Sequence, residues 1–418
     1  MYSGCYAALT EEHGYPLYVY DEDVIAEQFA TLRKTFAGFT ILYSVKTNPH
    51  PAILRFMAAN RAGADTASSF EVVKALTASI PPEKIYYSAP GKPTAQLADA
   101  LGRCVITADS YSELARLDVL AAGKMPSGQK LPVGLRINPN FAFGPGEFAE
   151  TLPGASNKFG VDEESLAEHK EFFASLKHLE MTGIHVFLRS QVLNHASLAT
   201  SFEAIFKLAL FCSESLGWKM NFINFGGGLG IAPAVQEKGL DTASLQSAVA
   251  ALVARYSPLL PECDLLLESG RFLVGRAGTF VTKIEDVKES RGTTYVIAPG
   301  GMSGFLRPSV MNLLNSFPFE VKGPFEPLFS SPAAHRVSLP EKTGGIPRRV
   351  TVSGNLCTSL DVIAKDVTLP DPCIGDILAV SNAGAYAATL SPFAFASFPK
   401  PAEVYRRRDG ERVVVEVS

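Results

Sequence analysis

The chain has 418 residues, is 47 % hydrophobic and carries a formal net charge of -4 at pH 7, so it can bury a large core but presents no basic field for nucleic acid. Six cysteines without a C-x-x-C pair and seven histidines without an H-x-x-x-H pair leave no signature of a zinc site, a disulfide scaffold or a catalytic metal. No basic-then-apolar leader opens the sequence and no uncharged apolar run approaches the roughly 18 residues of a membrane span, so a soluble cytoplasmic protein with a small-molecule substrate and no membrane partner is expected.

In chain order, residues 16–20 (Pro-Leu-Tyr-Val-Tyr) read as a strand closed by Asp21 and assigned to an appended domain, and 24–36 as a helix. Eight β-rich runs follow, at 39–45, 63–67, 84–88, 104–108, 131–137, 179–187, 222–225 and 264–267. Helix patterns lie between them at 52–62, 70–78, 94–101, 111–122, 165–176, 198–216 and 245–259. Eight alternating βα units predict an α/β protein with a (β/α)8 TIM barrel over residues 22–275. A doubly wound open sheet is the competing architecture, and the barrel is preferred because each chemical motif before residue 272 falls just after a strand. Beyond about residue 276 the strands at 280–284, 294–297, 349–352 and 376–380, and a hairpin of 402–405 and 412–417 turned at Asp409-Gly410, have no long helices between them. Residues 1–21 and 276–418 are therefore expected to form a β-domain, interrupted by a proline-rich irregular insertion at 301–348.

Lys46 ends the first barrel run, where a barrel gathers its chemistry. Gly226, Gly227 and Gly228 follow the seventh run, and adjacent glycines let bare backbone N–H groups turn toward an anion. Glu268-Ser269-Gly270-Arg271 ends the eighth, with Gly270 and Arg271 expected near a phosphate and an ionised, water-shielded Glu268 near a ring nitrogen. Amine, phosphate cradle and carboxylate together specify pyridoxal 5'-phosphate, in which the carboxylate keeps the ring nitrogen protonated and the ring accepts electrons from the substrate carbon. Taken singly each motif has a structural reading: a solvated lysine, a flexible turn, a salt bridge and, for Cys357, a buried hydrophobe.

These residues resemble the alanine-racemase-fold (fold type III) pyridoxal-phosphate-dependent decarboxylases that include diaminopimelate and ornithine decarboxylases. The resemblance runs from Pro16-Leu17-Tyr18-Val19-Tyr20-Asp21 through Tyr43 to Asn48, Ala64 to Ser68, Ser88 to Lys92, Leu135 to Pro139, Lys158-Phe159-Gly160 and the glycine run to Cys357 to Asp361 and Gly384-Ala385-Tyr386. It implies that Lys46 holds the cofactor, that Glu268 meets its ring nitrogen, and that Ser190, Gly227, Gly228, Gly270, Arg271 and Tyr386 surround its phosphate. It further implies that Cys357 comes from the neighbouring subunit of a homodimer and protonates the product carbon.

Three departures from the family pattern bear on the substrate. The family's His-x-Gly-Ser-Gln reads Phe187-Leu188-Arg189-Ser190-Gln191, so a phenyl stands where an imidazole stacks on the cofactor, and Arg189 either adds a cation close to the cofactor or points into solvent. Arg307 and Pro308 keep the pair found near a distal carboxylate in diaminopimelate decarboxylases, but Met311 stands where those carry tyrosine. Thr358 replaces the acid that receives a distal ammonium. Arg189, Arg307, Thr358 and Asp361 are thus the expected substrate-binding set. The Cys-Thr-x-x-Asp motif and the closing stretch from Ser391-Pro392 to Val404 look like a siderophore and natural-product branch, which implies an α-decarboxylase acting on a citryl- or carrier-linked amino acid. The alternatives are diaminopimelate decarboxylase of lysine biosynthesis, an amino-acid racemase of the same fold, and a non-catalytic protein that only carries the cofactor.

Overall fold

The computed structural model describes residues 6–126, 128–140, 157–187, 190–232, 238–315 and 335–415. By its internal contacts the chain divides into two compact units: Ala30–Gly230 with Leu240–Gly270, and Met1–Phe29 with Ile231–Gly239 and Arg271–Ser418.

The first unit is the expected barrel. Its parallel strands are Phe39–Ser44, Gly63–Thr66, Ile85–Ser88, Val105–Ala108, Leu131–Asn138, Leu179–His185, Phe222–Asn224 and Asp264–Ser269. Each bonds its neighbour and the last pairs with the first, which closes the ring. Several strands are buried on both faces because the helices cover the outside, which is why they read as unbroken apolar runs. Leu42, Tyr86, Phe222 and Leu266 form one interior cluster. A Cβ on Gly134 or Gly183 would lie 2.6 Å from the Phe222 ring, so two neighbouring strands surrender their side chains to admit one phenyl.

Local signals set the helix starts near the barrel mouth. Ser68 Oγ accepts from Glu71 N–H while Glu71 Oε2 accepts from Ala67 N–H, and Ser110 Oγ accepts likewise from Glu113 N–H. Both are S-x-x-E sequences that satisfy amides the first turn leaves open. The single helix expected at 165–176 is instead two, Ser165–Glu168 and Lys170–Ser175. The break falls at His169, whose ring stacks on Tyr111 at 3.9 Å and whose Nδ1 meets the Ser165 carbonyl. The 22-residue helix His195–Leu216 is long and apolar enough by composition to cross a membrane, which the sequence reading did not anticipate, but half of that stretch is buried within its own fold. Its Phe202 and Phe206 press edge-on against Phe225, at 5.3 and 4.8 Å, and so anchor the residue directly before Gly226.

The second unit holds two sheets. One runs Val337–Ser338, Ile377–Val380, Gly278–Lys283, Leu17–Asp21, Ala402–Arg406, Arg412–Val415, with the last two strands forming the expected hairpin. The other runs Asp286–Ser290, Thr293–Ile297, Pro347–Ser353, Val362–Pro370. The region expected to be an irregular insertion contains a helix, Leu306–Asn315, and the short strand Val337–Ser338; residues 316–334 lie outside those described. Pro308 sits in the first turn of that helix, where a missing N–H costs nothing, so proline content hid an element that it tolerates. Asp286–Ser290 escaped notice because it is a largely exposed polar edge strand without alternation.

Candidate active site

Lys46 lies in a 3-10 turn, Val45–Thr47, directly after the first barrel strand. The turn is braced from behind: Tyr43 O–H donates to the Asn48 carbonyl, Asn48 Oδ1 accepts from His50 N–H, and His50 Nδ1 accepts from Ala52 N–H at the Pro-led helix Pro51–Ala59. The Lys46 side chain is 42 % exposed, and its Nζ donates to Asp65 Oδ2 at 2.8 Å from the end of the second strand. Gly270 backs the same turn, since a Cβ there would lie 2.0 Å from Thr47 Oγ1 and 3.2 Å from Ser44 Cβ. Gly270→Ala is expected to lower stability by about 1–3 kcal/mol through overpacking and to weaken cofactor loading, as urea unfolding and cofactor titration would show.

Around this lysine the strand ends contribute a buried polar cluster. Glu268, 2 % exposed, accepts at Oε1 from the Asn224 amide at 2.9 Å. His185 Nε2 lies 3.2 Å from the same oxygen, and His185 Nδ1 meets Ser88 Oγ at 2.8 Å. Burial, reinforced by the Arg136 cation, pushes the His185 pKa well below its ordinary value, while burial followed by the Glu268 charge raises that of Asp65. Arg136 lies over the Phe159 ring at 4.4 Å and 3.9 Å from Asp109. None of Asp65, Ser88, Arg136, His185 and Asn224 was assigned a role from sequence. The available signal was a polar side chain at the end of an otherwise buried strand, the same signal that singled out Lys46.

The glycine run is pinned between strands. Glu268 N–H donates to the Gly226 carbonyl, and Val192 N–H to that of Gly228. A Cβ on Gly226 would meet Val186 O at 2.5 Å and one on Gly227 would meet Glu268 O at 2.6 Å, and Gly226 and Gly228 both have positive φ. Phe187 adjoins Gly226, and Ser190 follows half-buried; Arg189 lies outside the described residues.

In the second unit Arg271 lies over the Tyr386 ring at 5.2 Å. Tyr386 has φ +57°, a left-handed conformation uncommon for a bulky residue, and the adjoining Gly384 has no room for a Cβ against the Val274 carbonyl. Arg307 is 2 % exposed; Nη1 donates to the Ala385 carbonyl at 3.4 Å, whereas Nε and Nη2 have no hydrogen-bond partner among the described residues. Burial and then the Arg271 charge push its pKa down to about 9. His335, unassigned from sequence, is half-buried nearby and held neutral, its pKa pushed down to about 3 by desolvation of the ring and then by Arg307. A buried guanidinium with open donors, that of Arg307, beside the second buried cation of Arg271, makes this part of the unit receptive to an anion.

Cys357 is exposed and Thr358 half-buried. Asp361, expected at the substrate, is instead engaged with the backbone of its own unit, where Oδ1 accepts from Met302 N–H at 2.5 Å and Oδ2 from Leu356 N–H at 2.8 Å. It is 2 % exposed and closely walled by Gly301 and Gly354, either of which as alanine would collide with it. Asp361 therefore shapes the cysteine loop from beneath and has no free face for a ligand. Among the described residues no cluster of His, Cys, Asp and Glu could hold a metal ion.

The profile of the pyridoxal-dependent decarboxylase pyridoxal-binding domain matches residues 22–275. The chain is 32 % identical to diaminopimelate decarboxylase of Methanothermobacter thermautotrophicus, over 98 % of its own length and 90 % of that protein's. It is 30 % identical to the L-glutamyl-[BtrI acyl-carrier protein] decarboxylase of Niallia circulans, over 97 % and 92 %. Its fold superposes on the crystal structure of diaminopimelate decarboxylase from Helicobacter pylori complexed with L-lysine with a TM-score of 0.81, at 26 % identity and covering 98 % and 95 % of the two chains. Within the barrel unit the residues present fit pyridoxal phosphate: an amine with a buried counter-carboxylate, a run of glycines that admit no side chain, and a buried carboxylate on the eighth strand.

Proposed function

We infer that this chain, which belongs to the pyridoxal-dependent decarboxylases and uses pyridoxal phosphate, acts on an amino acid whose distal end carries no free ammonium, such as an amino acid linked to citrate or to a carrier. The observation that carries this reading is the state of the Cys357 loop. Between Asn355 and Asp361 the sole acid is Asp361, and both its oxygens are taken by backbone amides, while Thr358 Oγ1 accepts from Leu360 N–H. A distal ammonium brought to this loop finds no carboxylate and stays unpaired. The open donors of Arg307 favour a substrate that brings an anionic group instead. The likeness to a decarboxylase of a carrier-linked glutamate supports the same class.

In this proposal Lys46 would hold the cofactor, with Phe187 available to its ring and Glu268 to its ring nitrogen. Gly226, Gly227, Gly228, Ser190, Gly270, Arg271 and Tyr386 receive the phosphate. The bound cofactor supplies an acceptor for the electron pair left when carbon dioxide departs. Lys46 Nζ would be the amine that a substrate amine replaces on the cofactor, and Asp65 would serve the freed ammonium as counter-ion. Cys357, supplied by the neighbouring subunit of a homodimer, returns a proton to the substrate α-carbon; its exposure on its own chain supports that arrangement.

The test is carbon dioxide release from meso-diaminopimelate, ornithine, lysine, and citryl- and carrier-linked amino acids. The conjugates are expected to exceed the free diamino acids in kcat/KM by roughly 100-fold. Faster turnover of free meso-diaminopimelate overturns the reading and returns the protein to the second one, diaminopimelate decarboxylase, which the 32 % identity and the guanidinium of Arg307 favour.

A further inference from the structure

His185 has no part in the chemistry assigned so far, yet it joins two of the strand ends that do. It closes the sixth barrel strand at the level of Asn224 on the seventh, and Asn224 in turn donates to Glu268 on the eighth. Ser88, at the other ring nitrogen, ends the third strand, so the Ser88–His185 contact reaches across the barrel mouth rather than along one wall. The imidazole is 2 % exposed. Filling this space requires only an apolar ring; placing an imidazole there carries the cost of burying two polar nitrogens, which is recovered only if both find partners.

The partners determine where the proton sits. Burial, with the Arg136, Lys46 and Lys92 cations acting against the opposing Asp65 charge, keeps the ring neutral, so it carries one N–H. Nε2 lies 3.2 Å from Glu268 Oε1, displaced from the ideal line, so the contact is close but not a formed hydrogen bond. A lone pair facing a carboxylate oxygen at that distance is repelled, whereas an N–H is attracted. The proton therefore belongs on Nε2, and Nδ1 accepts from the Ser88 hydroxyl.

We propose that His185 is a positioning residue for Glu268: held in its Nε2–H form by the carboxylate it faces, with Nδ1 anchored by the Ser88 hydroxyl, it acts with the Asn224 amide on Oε1 and thereby turns Oε2 toward the ring nitrogen of the cofactor. This rests on the reading that Glu268 faces that nitrogen. A neutral donor suits this role better than an imidazolium, because it orients the carboxylate without cancelling the charge that keeps the ring nitrogen protonated.

The experiment is nitrogen-15 NMR of the holoenzyme, once with labelled histidine and once with cofactor labelled at the ring nitrogen. The wild type should show His185 neutral with the proton on Nε2 and a protonated ring nitrogen. In His185→Leu the ring-nitrogen signal should shift toward the deprotonated form, with a roughly 10- to 100-fold loss in kcat and little change in KM. His185→Gln, whose amide N–H can reach Oε1, should restore most of both. Ser88→Ala, which leaves the sixth strand untouched, should loosen the tautomer preference and serves if His185→Leu does not fold. An Nδ1–H or doubly protonated His185 in the wild type, an unchanged ring-nitrogen signal in His185→Leu, or failure of glutamine to rescue overturns the proposal. Glu268→Gln measured alongside separates the two levels: if it leaves the ring-nitrogen signal unchanged, the underlying role of Glu268 fails, and if it alone shifts the signal, only the role of His185 fails.

Discussion

Lys46→Ala is expected to yield a folded protein that binds pyridoxal phosphate weakly, does not fix it covalently on borohydride reduction, and loses turnover by more than roughly 10,000-fold. The size follows from proximity. A well-placed intramolecular amine acts at effective molarities of roughly 100,000 M or more, whereas an added free amine competes at well under about 1 M, so methylamine should rescue the variant only slightly. The substitution also strips Asp65 of its ion-pair partner. Asp65 is buried and its folded pKa already stands above the ordinary value of 3.8, from burial and then from Glu268. A carboxyl whose folded pKa is raised binds more protons in the native than in the unfolded state. Its contribution to stability is therefore complete below the ordinary pKa and is lost as pH rises through the raised one. Removing the lysine raises that pKa further, so the variant should lose stability between acid and neutral pH more steeply than the wild type in urea unfolding. Full turnover, or parallel stability curves, would remove Lys46 and its pair from the account.

Cys357→Ala is expected to keep cofactor binding and its absorbance while losing roughly 100- to 10,000-fold in correct product, the range for loss of a positioned proton donor. Carbon dioxide release should fall less than product formation, because the proton return follows bond cleavage. The same variant tests the assembly. If the cysteine serves the neighbouring subunit, mixing Lys46→Ala with Cys357→Ala should recover about a quarter of wild-type activity, since half the dimers are mixed and each mixed dimer has one intact site. No recovery on mixing, with subunit exchange shown separately, would place both groups in the same chain.

The barrel was legible because its pattern is repetitive and its physics local. The strands are short and β-rich, several are buried on both faces, helices alternate with most of them, and two of those helices open on an S-x-x-E sequence. The helix Leu306–Asn315 was not legible, because prolines that break a helix interior are harmless in its first turn. Asp361 was misassigned for a comparable reason. An acid four residues after Cys357 reads as a ligand, and only the approach of Met302 and of the Gly301 and Gly354 backbones, two of them some sixty residues away in the chain, makes it a structural brace.

The amino-acid sequence by itself determined the alternation that closes the barrel, the glycines after the seventh strand that admit no side chain, and the lysine and carboxylate at the ends of the first and eighth strands. Those properties follow from residue type and spacing along one stretch of chain. Tertiary structure decided which polar groups meet. It brought Asp65 to Lys46, His185, Ser88 and Asn224 into line with Glu268, and in the other unit set Arg307 within reach of Arg271 and His335. The reason is that a charge or tautomer state is set by burial and by neighbours within a few ångströms, and in a closed sheet those neighbours come from strands far apart in sequence.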